Sequence, residues 1–216
     1  MQRTLLVIPF LFLAFGASAQ LNGTFTIGGA NPSFADFTAA ASALSTQGIS
    51  GNVTFNVRPG TYTERIQINA IPGSNANRTV TFQAENGDSS SVLLLSTTAT
   101  NGTNYLVSLQ NVARVTFKRL SFQTPESGLY STAVYLYNVT NFRLENCRLS
   151  GSLNTSTQNT NGRITVLISG ISPNVTIKNC LFQNGYQAIS VLGGETLVSA
   201  DMVIENNRFK STLAEA

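Results

Sequence analysis

The stretch NVTIKNCLFQ, Asn174 to Gln183, is a near copy of NFRLENCRLS, Asn141 to Ser150, and its reading decides the fold. Four ungapped segments share the pattern: VTFKRLSF from Val115, FRLENCRL from Phe142, VTIKNCLF from Val175 and MVIENNRF from Met202. Their starts lie 27, 33 and 27 residues apart, which makes each copy one turn of a solenoid with the length differences taken up in loops. Within a copy the apolar residues alternate, as in Val175 and Ile177, then break at Asn179 and resume at Cys180 and Phe182. Alternation of period two predicts short strands with one buried face. The central asparagine tolerates the left-handed backbone needed to bend from one strand into the next. Stacked coils then place Asn146, Asn179 and Asn206 in one ladder.

A strand before each copy falls into the same register, with inward columns Val107/Leu109/Val112, Val134/Leu136/Val139 and Val166/Ile168/Ile171, and Ile189/Val191 beginning a fourth. Three short strands per coil, turned by Asn and Gly, predict an all-β chain, a single-stranded right-handed parallel β-helix. The column Lys118, Glu145, Lys178, Glu205 alternates in charge, so neighbours about 4.8 Å apart attract across the stack. Cys147 and Cys180 share an inward column. Their stacked Cα spacing lies inside the disulfide range, but parallel side chains hold the Cβ atoms slightly too far apart, which favours two buried thiols over a bridge.

The chain opens with MQRTLLVIPFLFLAFGASAQ, in which Arg3, the apolar run Leu5 to Phe15 and the small residues Ala17-Ser18-Ala19 predict a signal peptide over 1–19 and a secreted or cell-surface protein. That run is too short to cross a bilayer core of about 30 Å, so no membrane span is expected after cleavage. Removing Arg3 lowers the net charge from +3 to +2, which gives no signal for nucleic acid. With 11% charged residues, no His and no Trp, the surface is built from Asn, Thr, Ser, Gln and Gly. Two thiols are too few for a metal site, and no cofactor is expected.

Residues 20–51 read as an N-terminal cap and 52–216 as the β-helix, stopping directly after a coil strand as a chain truncated at its C-terminus would. The cap contains a helix over about 36–47, in DFTAAASALSTQG. Asp36 caps it, Gly48 ends it, and Phe37, Ala40, Ala41 and Leu44 form the stripe that covers the first coil. Together DFTAAASALSTQGISGNVTFNVRPGTYTERIQI and the NVTIKNC copies resemble pectin-lyase-like right-handed parallel β-helix proteins, notably secreted ones of Bacteroidetes-type bacteria, and more distantly pectinesterases. The resemblance covers almost all of the chain after the leader and implies a secreted scaffold that binds or acts on polysaccharide.

Known chemistries on that scaffold can be sought residue by residue. A pectinesterase-like site implies paired Asp with Gln and Arg, yet Asp36, Asp88 and Asp201 are scattered. A polygalacturonase-like NTDG motif finds only Asn159-Thr160-Asn161-Gly162, with an amide where the acid belongs. A lyase-like calcium cluster is missing from the pattern, although stacking could bring Glu126 near Glu145. Outward positions of the preceding strand run Ser108, Tyr135, Leu167, Ser190 and Gln110, Tyr137, Ser169, Leu192. Tyr135, Tyr137 and Gln110, walled by loops carrying Tyr130, Glu126 and Arg163, form the expected ligand groove. Aromatic faces beside amides suit sugar rings. The expected function is a secreted, non-catalytic module for binding polysaccharide or a cell-surface glycan, or for attachment. The alternative is a polysaccharide lyase or pectinesterase-like enzyme with its catalytic coils further along.

Overall fold

In the computed structural model, residues 19–97, 101–125, 131–153, 163–193 and 201–211 are described. Residues 1–18 of the expected signal peptide, Tyr130, Glu126 and the Asn159 to Gly162 stretch lie outside them. Strand β1 (Leu21–Ile27) and helix α1 (Phe37–Thr46) precede a full coil of β2 (Ile49–Val57), β3 (Gly60–Thr63) and β4 (Ile66–Ile68). Next come β5 (Val80–Ala84), β6 (Val92–Leu95) and β7 (Val107–Gln110), followed by β8 (Val115–Lys118), β9 (Ser121–Gln123) and β10 (Val134–Tyr137). The fourth coil is β11 (Arg143–Glu145), β12 (Arg148–Ser150) and β13 (Ile164–Ser169), and the fifth is β14 (Thr176–Lys178), β15 (Leu181–Gln183) and β16 (Gln187–Leu192). Strands β17 (Val203–Glu205) and β18 (Arg208–Lys210) begin a sixth.

All strand pairs are parallel, one coil against the next, and form three sheets. Sheet A has the order β1-β2-β5-β8-β11-β14-β17, sheet B the order β3-β6-β9-β12-β15-β18 and sheet C the order β4-β7-β10-β13-β16. The chain is a right-handed parallel β-helix with one short helix at its N-terminal end. The register expected from the repeat is the one found: Leu144 pairs with Phe117 and Ile177, Leu149 with Phe122 and Phe182, and Leu136 with Leu109 and Ile168.

Asn146, Asn179 and Asn206 hold φ of 54°, 55° and 55° at the corner between sheets A and B, and Arg119 holds 55° at the same position one coil earlier. A second left-handed row, Arg114, Asn141, Asn174 and Asp201, precedes the last four strands of sheet A, β8, β11, β14 and β17, with φ of 55–59°. A third row, Asn111, Asn138 and Gly170, closes sheet C. In these three rows the chain therefore turns on a residue whose short polar side chain, or missing Cβ, lowers the cost of positive φ, with the two arginines as exceptions.

The core is a set of apolar columns running along the stack. In sheet A the column reads Phe25, Phe55, Phe82, Phe117, Leu144, Ile177, Ile204. Phe55 and Phe82 stack at 4.7 Å between centroids and Phe82 and Phe117 at 5.3 Å. Each such ring pair adds about 0.5–1.5 kcal/mol beyond the area it buries. Cys147 and Cys180 are buried as free thiols, and burial pushes the Cys147 thiol up from its ordinary value. In the charge column Lys178 Nζ reaches Glu145 Oε1 at 3.8 Å, while Arg143 approaches the same carboxylate at 3.4 Å, so Glu145 serves two cations.

The stack begins earlier than residue 52. Strand β1 is part of sheet A, pairing Phe25 with Phe55 and Ile27 with Val57, and β2 starts at Ile49. Helix α1 then crosses the end. Asp36 Oδ1 accepts from the Ala39 amide at 2.7 Å as the N-cap, and Gln47 is the C-cap ahead of Gly48. Phe37, Ala40, Ala41 and Leu44 are buried, with the Phe37 ring 5.2 Å from that of Tyr62 and 6.0 Å from that of Phe82.

Candidate functional site

Sheet C presents the outward columns expected from the sequence. Tyr135 pairs with Ser108 and Leu167, and Tyr137 with Gln110 and Ser169. Strand β10 supplies both tyrosines because Val134 and Leu136 of the same strand turn inward and are fully buried. Tyr137 is 39% exposed, an accessible ring on a rigid strand. Tyr135 is half-buried. Burial and the neighbouring Tyr137 push its phenol up, and a hydrogen bond with Ser169 pulls it partly back. Ser108 faces outward yet is fully buried, with Gln110 Nε2 donating to its Oγ at 3.1 Å. The face continues onto β4, where Tyr105 donates from its hydroxyl to Gln67 Oε1 at 2.9 Å and Gln67 Nε2 donates to Asn69 Oδ1 at 3.1 Å.

Directly after the two columns comes the left-handed row that closes sheet C. Asn138 Nδ2 donates to Asn111 Oδ1 at 3.2 Å, an amide ladder one coil long. It ends at Gly170, whose φ is 66° and where a Cβ would lie 2.3 Å from Asn138 Oδ1. That oxygen accepts from the Ile171 amide instead, at 2.9 Å. Asn111, Asn138, Thr140 and Ser74 line an open cleft of about 430 Å³. Sequence reasoning missed this cleft, although Asn111 and Asn138 stand at equivalent places 27 residues apart and could have been aligned as the other ladder was. A smaller hollow of about 300 Å³ lies on the outer face of sheet B, against Gln123, Arg148 and Gln183.

Arg163 does not wall a groove. It is 1% exposed, and its guanidinium lies 5.0 Å from the centroid of the Tyr186 ring, which takes the solvent-facing position above it. Its backbone carbonyl accepts from the Gln187 amide at 3.3 Å, so it opens β13 inside the stack and not in the loop before it. The ring face offsets part of the cost of burying that charge. Tyr130 lies outside the described residues.

Several of the described carboxylates are engaged elsewhere. Asp36 caps α1, and Glu64 accepts from the Phe37 and Thr38 amides at 3.0 and 2.7 Å. Glu85 pairs with Arg58 at 3.6 Å, and Asp88 accepts from the Ser90 amide and hydroxyl at 2.8 Å. These bonds hold the Asp88 carboxyl below its usual range. Among the described residues no three His, Cys, Asp or Glu side chains gather as metal ligands, and no helix is long and apolar enough to cross a membrane.

The sequence matches no family model and no curated protein. In backbone it is similar to a pectin methylesterase from Aspergillus niger, crystallised in penultimately deglycosylated form, with a TM-score of 0.51 and 12% identity over 89% of this chain and 76% of that one. The deglycosylated form of that enzyme aligns at a TM-score of 0.37 and 13% identity over 92% and 93% of the two chains. The likeness at 0.51 is one of fold, the parallel β-helix that pectin methylesterases also have.

Proposed function

We propose that this chain is a glycan-binding β-helix module, exported and held at or beyond the cell surface. The observation that carries the reading is the exposed Tyr137 ring, beside half-buried Tyr135 on one rigid strand, running into the Asn111–Asn138 amide ladder and its cleft of about 430 Å³. A pyranose has an apolar C–H face that stacks on such a ring and a hydroxyl rim that matches amides, which both donate and accept. The engagement of Asp36, Glu64, Glu85, Asp88 and Glu145 in caps, turns and ion pairs supports binding without hydrolysis.

Binding is measured by titration calorimetry against neutral and acidic polysaccharides. Tyr137→Ala is expected to weaken it about tenfold, in line with loss of one aromatic contact of about 1.4 kcal/mol. Absence of binding to every polysaccharide at millimolar sugar overturns the proposal. The backbone likeness to a pectin methylesterase favours a second reading, de-esterification of a methylated polysaccharide. Methanol release from methylated pectin by the wild-type protein would decide for it, and it predicts loss of that release in variants of acids and not of Tyr137.

A further inference from the structure

The outer faces of the three sheets differ in how charge is laid out. On sheet A, Lys118, Glu145, Lys178 and Glu205 alternate along one column, with Arg143 beside Glu145, so cations and acids sit together. The strands of sheet C carry no charge, and those of sheet B carry Arg148, Arg208 and Lys210 and no acid. Arg148 points outward between Ser121 and Leu181, because Leu149, the next residue of β12, pairs with Phe122 and Phe182 and is buried. Its side chain is exposed and forms no ion pair among the described residues. The next outward column, Gln123, Ser150 and Gln183, sets two amides about one hydroxyl at about 4.8 Å per coil. These groups open with Arg148 on the hollow of about 300 Å³, which Ser90 of the turn before β6 helps to wall. That turn is fixed: Ser121 Oγ donates to the Ser89 carbonyl at 2.6 Å, and Asp88 accepts from the Ser90 amide and hydroxyl. The charge of Asp88 reaches Arg148, but its oxygens are committed to Ser90 and the two side chains form no ion pair.

We propose that the hollow on sheet B is a second binding site, separate from the face of sheet C, for a polysaccharide bearing a monoanionic substituent, a carboxylate or a sulfate ester. A guanidinium presents its donors in a planar fork that meets two oxygens of either group at once. One cation balances one charge, whereas a phosphate monoester carries close to two and is left in excess. The amides and hydroxyl of the adjoining column donate and accept, which matches the ring hydroxyls that surround such a substituent. Leu93, which pairs with Ser121 in the column of Arg148, lines the same hollow and offers apolar surface to a ring's C–H face. A nucleic acid is held through many phosphates, and a net charge of +3 on 216 residues gives no field to gather them.

Three polymers of one backbone test the proposal: dextran, carboxymethyl dextran and dextran sulfate, each titrated by calorimetry at fixed ionic strength. The charged polymers are expected to bind more tightly than dextran, and the tighter of the two identifies the group that Arg148 takes. Arg148→Met is expected to lower their affinity about tenfold, and Arg148→Lys, which keeps the charge and loses the fork, by less. Lys118→Met removes the same charge from sheet A and is expected to leave the affinity unchanged. Far-ultraviolet circular dichroism confirms that each variant keeps its strands. Measured as a ratio to dextran, the effect is separate from the sheet C reading, whose own test is Tyr137→Ala. Equal affinity for all three polymers, no binding of either charged polymer, affinity unmoved by Arg148→Met, or a loss as large with Lys118→Met would each overturn the proposal.

Discussion

Asp88 shows how much local order a single carboxylate can impose on a surface turn. Ser90 donates to it twice, from its amide and its hydroxyl, and Asn86 Oδ1 takes the Asp88 amide at 3.0 Å. Both Ser90 bonds favour the ionised form, so the folded pKa lies below the unfolded one. The sign follows from linkage: the contribution is complete above the unfolded pKa and is lost as pH falls through the lowered folded value. Ser90→Ala is expected to bring the Asp88 pKa back toward the ordinary carboxylate range, read from its carboxyl resonance in an acid titration, with neutral-pH structure unchanged. The same competence of short polar side chains for unusual backbone explains what was legible at this scale. Asn146, Asn179 and Asn206 could be aligned because a repeated motif surrounds them, and Asn111 and Asn138 carry the same signal in the shorter repeat LQNV and LYNV, 27 residues apart. The burial of Arg163 had no local signal, since only the coil stacking brings Tyr186 over it.

Helix α1 is held by two carboxylates from different parts of the chain. Asp36 was identifiable from its position ahead of an apolar stripe. Glu64 was not, because it arrives from the connection between β3 and β4 and takes the Phe37 and Thr38 amides across 27 and 26 residues. Together they satisfy the first free amides of the helix and place two negative charges at its positive end. Asp36→Ala is expected to cost about 1 kcal/mol and Asp36→Asn much less, measured by urea unfolding. Strand β1 escaped the sequence reading for a related reason. LNGTFTI is a lone alternating run with no copy of the coil motif after it, and only its pairing with β2 makes it part of sheet A.

Across the whole molecule, stability comes largely from columns whose members stack on their neighbours one coil away, as in other solenoids. The repeated VTF at Val53, Val80 and Val115 marks the phenylalanine column of sheet A, and aligning those three triplets would have revealed it. Phe82 is the junction, with its ring within 6.0 Å of those of Phe55, Phe117 and Phe37. Phe82→Ala is expected to destabilise the protein by about 3–5 kcal/mol in urea unfolding, more than Ile177→Val at about 0.5–1.5 kcal/mol in the aliphatic part of the same column.

That column is aromatic in its first four members and aliphatic in its last three. A polypeptide delivered amino end first, whether from a ribosome or through an export pore, therefore completes its lid and its heaviest rungs before the lighter ones emerge. Each later rung then has a more heavily packed edge to condense on, which gives assembly from the amino end a built-in direction.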